Sequence, residues 1–344
     1  MVSGYGDLPV EKVFVHLVGG CSQGVCWVLY RPKAKPRTVT GNLNEQSMKF
    51  KRLVFPFFGI VIFTTFFSGI IRHDVDEKAY LELAKKPQFD CVGQVFVDTI
   101  GSGSCVLISD RFALSAAHGF IDFDTRPDTL SLNGHTIVSY VSYNERLTDI
   151  SNLSLKFKEY KVKVRNVWIH PNYLDSLTKG SCDIAILELE KPIKEIVPAK
   201  LNNAFNELNS NVVGVGFGAS GPADRPDLVK MHNKKIAGEN VVDSIGGLTY
   251  LGLKTLLICD FDHPTRTDCN RIGSPVPRPL EYIVSGGDSG GGLFRLNNGK
   301  WELIGICSGT GTEVERLIKT GYYGQLMEWT RVSPFVNWIN EHRK

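Results

Sequence analysis

Beyond Phe89 the chain is built of short apolar runs, and that texture limits its fold more than any other feature. The runs span residues 91–97, 104–108, 111–115, 162–169, 184–189, 211–218, 256–259, 282–284 and 301–307, with Gly, Asp or Ser between them. Runs of this length bounded by turn formers read as β-strands. At 162–169 apolar and polar residues alternate, the mark of a strand with one wet face. Thirty-four glycines and 16 prolines suit many tight turns better than long helices. Only the last stretch, 334–344, reads as a helix. Phe335, Trp338 and Ile339 share one face, Pro334 suits the first turn, and Ser333 is positioned as an N-cap. An all-β barrel or sandwich architecture follows.

Composition narrows the class. The 344 residues are 42% hydrophobic and 22% charged, enough for one large or two medium globular domains. A dispersed net charge of +3 gives no basic surface, so nucleic acid is not an expected partner. The eight cysteines, at 21, 26, 91, 105, 182, 259, 269 and 307, do not recur with zinc-ligand spacing, and no metal is expected.

The amino-terminal third divides at Met48. Residues 1–47 carry no recognisable chemistry; Cys21 and Cys26 make at most half a metal site. Lys49, Lys51 and Arg52 then precede an apolar run that has no charge until Arg72. A basic start followed by an apolar core is the shape of a signal peptide, here residues 48–69. The same run, 53–71, is also long enough to stay in a bilayer as an uncleaved anchor. Either way the domain begins near residue 70. Residues 1–47 are then an extension upstream of a true start at Met48, or the cytoplasmic tail of an anchored protein.

Three further stretches carry chemistry. Ser285-Gly286-Gly287-Asp288-Ser289-Gly290-Gly291 is a glycine-rich turn that exposes a serine and lets backbone N–H groups approach a ligand. Leu114-Ser115-Ala116-Ala117-His118 sets a histidine after small residues at a strand end. Cys182-Asp183 opens the apolar run 184–189 with an aspartate. Singly, each has a plain structural explanation as a surface turn, a packed histidine or a turn aspartate. Together, in the order His, Asp, Ser, they supply a base, the acid that orients it, and a nucleophile.

From about residue 70 to 344 the chain resembles the trypsin/chymotrypsin-like serine peptidases. The matching stretches are Leu114-Ser115-Ala116-Ala117-His118, Ile169-His170-Pro171-Asn172-Tyr173, Asp183-Ile184-Ala185-Ile186-Leu187, Gly216-Phe217-Gly218, Gly287-Asp288-Ser289-Gly290-Gly291, Gly305-Ile306 with Ser308, and Trp329-Thr330-Arg331-Val332. The resemblance implies two antiparallel six-stranded β-barrels, a cleft between them and a C-terminal helix. It implies a secreted monomeric endopeptidase without a cofactor, acting on protein or peptide substrates. His118, Asp183 and Ser289 would form the triad. The N–H groups of Gly287 and Ser289 would form the oxyanion hole, and the Ser308 hydroxyl would contact Asp183. Two alternatives stay open: a catalytically idle relative acting as a binding module, and a protease tethered through residues 53–71.

Departures from the family pattern refine these expectations. Gly103 and Gly119 stand where relatives often carry a disulfide beside the catalytic histidine, and Gly292 stands where proline is usual. Cys259 and Cys269 bracket a polar loop and are the best candidates for a disulfide. Ile283 occupies the place where trypsin-type enzymes carry an acid, which argues against cleavage after Arg or Lys. Thr310 and Met327 fall on the opposite wall and would shorten the pocket, favouring small or medium apolar residues. Ile70, just after Ser68-Gly69, matches the residue whose freed amine pairs with the aspartate before the serine, here Asp288. The stretch 121–161 reads as an insertion, and Asn152-Leu153-Ser154 within it is a glycosylation sequon.

Overall fold

The computed structural model describes residues 69–132, 135–175, 181–311 and 321–343. The extension 1–47, with Cys21 and Cys26, and residues 48–68 of the apolar run lie outside them. Among the described residues no helix is long and apolar enough to cross a membrane.

The described chain opens with a short strand, β1 (Gly69–Ile71), and then a helix that the strand-like texture does not foretell. This helix, α1 (Glu77–Ala84), is started by the Asp76 carboxylate, which accepts the Lys78 N–H at 2.9 Å. Tyr80, Leu83 and Ala84, three and four apart, form its buried side.

Next come β2 (Val92–Val97), β3 (Ile100–Leu107) and β4 (Phe112–Ser115), then a long ribbon of β5 (Ile121–Leu132) and β6 (His135–Leu147). Residues 123–145 of that ribbon fall outside the compact unit that holds the rest of the described chain. After it, β7 (Leu153–Phe157), β8 (Tyr160–Ile169) and β9 (Ala185–Leu189) close a six-stranded barrel in the order β2-β3-β4-β9-β8-β7. The expected insertion is therefore confined to the ribbon, because Leu153, Leu155 and Phe157 are fully buried barrel residues. Asn152 of the sequon is exposed at the start of β7.

The second half contributes β10 (Lys200–Leu201), β11 (Asn211–Gly216), β12 (Ser220–Pro222), β13 (Ile236–Val241), β14 (Ser244–Tyr250) and β15 (Leu253–Asp260). It continues through β16 (Tyr282–Ile283), β17 (Gly292–Asn297), β18 (Lys300–Gly311) and β19 (Leu326–Arg331). Where a second six-stranded barrel was expected, eight of these strands form one sheet, antiparallel along β13-β11-β17-β18-β19-β15-β14, with β10 parallel beside β18. A separate small sheet places β1 between β12 and β16.

The C-terminal helix, α2 in the chain's second half (Val336–His342), is preceded by a 3-10 turn, Ser333–Phe335. Phe335 and Ile339 pack into the apolar cluster of the first barrel, with Trp338 at its margin. Ser333 does not cap this helix. Its hydroxyl donates to the buried Glu207 carboxylate at 2.7 Å, which also pairs with Arg331 at 2.6 Å. An isolated serine before a proline looks like a cap, but a buried carboxylate is the stronger acceptor. His170 is likewise structural: its ring lies 4.8–5.0 Å from those of Tyr250, Phe335 and Trp338, and burial lowers its pKa to about 4.

The expected disulfide is not formed. Cys259 and Cys269 are both buried in the apolar cluster of the second sheet, and no disulfide joins cysteines among the described residues. Cys259 lies on β15 with its thiol pKa pushed well up by burial, so it packs as a small hydrophobe.

Candidate active site

Strand pairing brings the histidine and the aspartate to one end of the first barrel. β4 and β9 run antiparallel with Leu114 opposite Ile186 and Ser115 opposite Ala185. The residues just after β4, Ala116-Ala117-His118, therefore meet those just before β9, Asp183-Ile184. His118 and Asp183 are both buried. The Asp183 carboxylate accepts three hydrogen bonds: the His118 N–H at 2.9 Å on one oxygen, and His118 Nδ1 at 2.6 Å and the Ser308 hydroxyl at 2.6 Å on the other. Thr330 Oγ1 donates to the Asp183 carbonyl at 2.9 Å. Burial alone would raise the Asp183 pKa. The charge and hydrogen bonds of His118, with the Ser308 hydroxyl, outweigh it and hold the carboxyl below its usual range. A carboxylate on Nδ1 leaves Nε2 as the basic nitrogen of a neutral ring.

The serine turn joins the same place from the second sheet. Ser289 lies between Gly287 and Gly290, whose φ values of 96° and 85° are in the left-handed region. A side chain at Gly290 would run into Ser115 Oγ and the Ser104 carbonyl, 2.1 and 2.2 Å from an added Cβ. The turn thus packs directly on the segment leading into His118. The Ser289 carbonyl accepts the Ser104 N–H at 2.8 Å. The N–H groups of Gly287 and Ser289 have no protein acceptor among the described residues. Gly290 N–H bonds the Cys307 carbonyl at 2.9 Å, which sets the turn beside Ser308.

Asp288 points away from solvent. One oxygen accepts the Gly218 N–H at 2.8 Å and the other the Ser285 N–H at 2.9 Å. No cation pairs with it among the described residues, and burial raises its pKa to about 6. Ile70, buried in β1, is in register with Ile283, and Gly69 with Ser220. β1 runs parallel to β12 and antiparallel to β16. On both flanks the chain therefore leads past the start of β1 to a donor of Asp288: two residues back from Ser220 to Gly218, and two on from Ile283 to Ser285. Two residues of strand are about 7 Å.

Of the expected pocket residues, Thr310 and Met327 are cross-strand partners on β18 and β19. Met327 and Ile283 are fully buried in one apolar cluster, and Thr310 is partly exposed. Sequence reasoning missed Ser104, Ser115 and Thr330, whose hydroxyls hold backbone carbonyls around the site. Ser115 and Thr330 lie within matching stretches, but nothing in those stretches says which carbonyl a strand hydroxyl will meet. Only the adjacency of Ser104 to Gly103 hinted at a close approach of chains.

Two strand-built halves, with a buried His-Asp pair from one and a glycine-flanked serine from the other, define the class as trypsin-like. The trypsin family model matches residues 83–260, and the chain belongs to that family. It is 25% identical over 252 residues to vitamin K-dependent protein C of Rattus norvegicus, covering 69% of this chain and 45% of that protein. The chain thus spans under half the length of this curated relative. A solved structure of neuropsin, a serine protease expressed in the limbic system of mouse brain, aligns with TM-score 0.47 and 16% identity over 80% of this chain and all of that one. Members of the trypsin family are serine endopeptidases.

Proposed function

We propose that this chain is a secreted serine endopeptidase in which Ser289 attacks, His118 moves the proton and Asp183 holds the imidazole. The observation that carries this is the buried Asp183 carboxylate, bound at 2.6 Å by both His118 Nδ1 and Ser308, at the junction where the Ser289 turn packs. Ser289 Oγ forms a bond to the scissile carbonyl carbon while its proton passes to His118 Nε2. The carbonyl π pair moves onto oxygen, where the N–H groups of Gly287 and Ser289 receive it; one such donor contributes about 3 kcal/mol. Collapse breaks the C–N bond as His118 returns the proton to the leaving amine. Water then hydrolyses the acyl-enzyme by the same route, releasing the acid and restoring Ser289. Asp183 stays ionised throughout and stabilises the imidazolium.

Two finer features belong to the proposal. Ile70, freed by cleavage after Gly69, supplies the ammonium that Asp288 lacks, supported by the register of β1 with its two neighbours. The residue before the scissile bond is small or medium and apolar, supported by Ile283 and Met327 sharing one apolar cluster. A peptide library presented to the chain processed before Ile70 tests the function, with Asp183→Asn and Ser289→Ala alongside. Cleavage after apolar residues, reduced about 10⁴-fold by Asp183→Asn, is expected. Cleavage confined to Arg or Lys would remove the specificity claim, and cleavage that survives Ser289→Ala would remove the mechanism.

A further inference from the structure

We propose that Ser104 is a positioning residue that clamps the oxyanion turn through its hydroxyl; the catalytic part of this rests on the peptidase reading above. Ser104 lies in β3 of the first barrel and is fully buried, yet every polar group it has is engaged. Its N–H donates to the Ser289 carbonyl at 2.8 Å, and its own carbonyl accepts the Ser115 hydroxyl at 2.7 Å. Its hydroxyl accepts the Phe217 N–H at 2.9 Å and donates to the Gly287 carbonyl at 2.7 Å. Accepting from an N–H leaves the single hydroxyl proton only the Gly287 oxygen to serve, so the direction of the bond is fixed.

The turn needs such a clamp. Gly286 and Gly287 are consecutive glycines, and Gly287 sits at φ 96°. Glycine crosses between positive and negative φ at little steric cost, so a Gly-Gly turn has several backbone states unless something selects one. The proposed oxyanion donor is the N–H of that same Gly287. Holding the Gly287 oxygen with the hydroxyl and the Ser289 oxygen with the N–H fixes the Gly287–Asp288 and Ser289–Gly290 peptide planes, which bracket Asp288 and Ser289. The third contact, from Phe217, ties in the neighbouring segment, whose Gly218 N–H binds Asp288. One hydroxyl thus links the first barrel to the serine turn and to the segment that seats Asp288. In this chain Gly103 and Gly119 leave the adjacent strand ends without a cross-link, and the Ser104 contacts tie the first barrel to the turn there.

The test is Ser104→Ala, which keeps the backbone bonds and removes only the hydroxyl. Two readouts are taken on the full chain processed before Ile70. The first is kinetic. A drop in kcat of about 10- to 100-fold is expected, from the loss of one buried hydrogen bond and the disorder it releases. KM should stay within about threefold, and the Ki of a substrate-like peptide aldehyde, whose hemiacetal oxygen occupies the oxyanion site, should rise by the same factor as kcat falls. The second is amide hydrogen exchange across residues 285–291, which should accelerate whether or not the protein is active. Unchanged exchange overturns the clamp. So does an aldehyde Ki that does not move, or a rise in KM that merely tracks a fall in Tm. Faster exchange in a protein whose parent shows no Ser289-dependent activity upholds the clamp and sinks the peptidase reading alone.

Discussion

Freeing the amine of Ile70 should switch the site on, and the size of the switch follows from Asp288. Its carboxyl is wholly buried, served by N–H groups of Gly218 and Ser285 and by no cation among the described residues. Its pKa stands at about 6 instead of 3.8. At 1.36 kcal/mol per pKa unit, ionising Asp288 in this setting costs on the order of 3 kcal/mol. An ammonium placed beside it removes that penalty, and 3 kcal/mol is about 150-fold in the population of the ordered turn. A chain carrying a site-specific protease sequence ending at Gly69 allows comparison of kcat/KM before and after the cut. A rise on the order of 100-fold is expected. With Asp288→Asn the cut should raise activity little. The cut form should also lose activity on the alkaline side. Pairing raises the amine pKa above its free value near 8, so the stabilisation is complete below that pH and fades as pH climbs through the raised value. Equal activity before and after the cut, or an equal gain in Asp288→Asn, would refute the reasoning.

Three other outcomes are expected. Asp243, Asp262 and Glu281 sit near Asp260 and are pushed up to about 7, 7 and 8, by burial first, with the Asp260 charge raising each of them further. The folded chain then keeps protons that the unfolded chain has lost, so between about pH 4 and 8 stability should fall as pH rises. Asp262→Asn, which can still accept from Asn270, should flatten part of that slope in urea titrations; an unchanged slope would contradict the assignment. Glu207 is fully buried with Arg331, Ser333 and Asn202 on its oxygens, so Glu207→Gln should cost about 3–5 kcal/mol by leaving Arg331 buried without its counter-charge. Replacing both Glu207 and Arg331 with apolar residues should be milder, as double-mutant denaturation would show. Gly290→Ala should cost several kcal/mol in urea denaturation, because the added Cβ meets the Ser104 carbonyl as well as the Ser115 hydroxyl.

Much of this was legible in the residues, for physical reasons. Strands such as β9 and β18 showed because buried strands leave apolar runs bounded by turn formers. His118 and Asp183 showed because each follows or precedes such a run, and antiparallel pairing of β4 with β9 then forces them together. The helix α1 did not show, since two turns carry only three inward residues, and α1 has them at Tyr80, Leu83 and Ala84. β7 was lost inside an apparent insertion because five residues, Leu153–Phe157, complete the barrel only when β2 and β8 flank them. Ser333 was misread as a cap because its partner, Glu207, lies 126 residues away, and Cys259 with Cys269 was misread as a bridge because their burial in an apolar cluster does not show in the polar loop between them. Ser104 was invisible for the same reason: its hydroxyl serves Gly287, 183 residues away.

The central claim is that Ser289 is a nucleophile activated by His118 and Asp183. Labelling the chain processed before Ile70 with a fluorophosphonate, and locating the adduct by mass spectrometry, tests it most directly. One adduct per chain on Ser289 is expected, absent in Ser289→Ala and slowed by several orders of magnitude in His118→Ala. No Ser289 adduct on folded, processed protein, or a rate indifferent to His118, would contradict it.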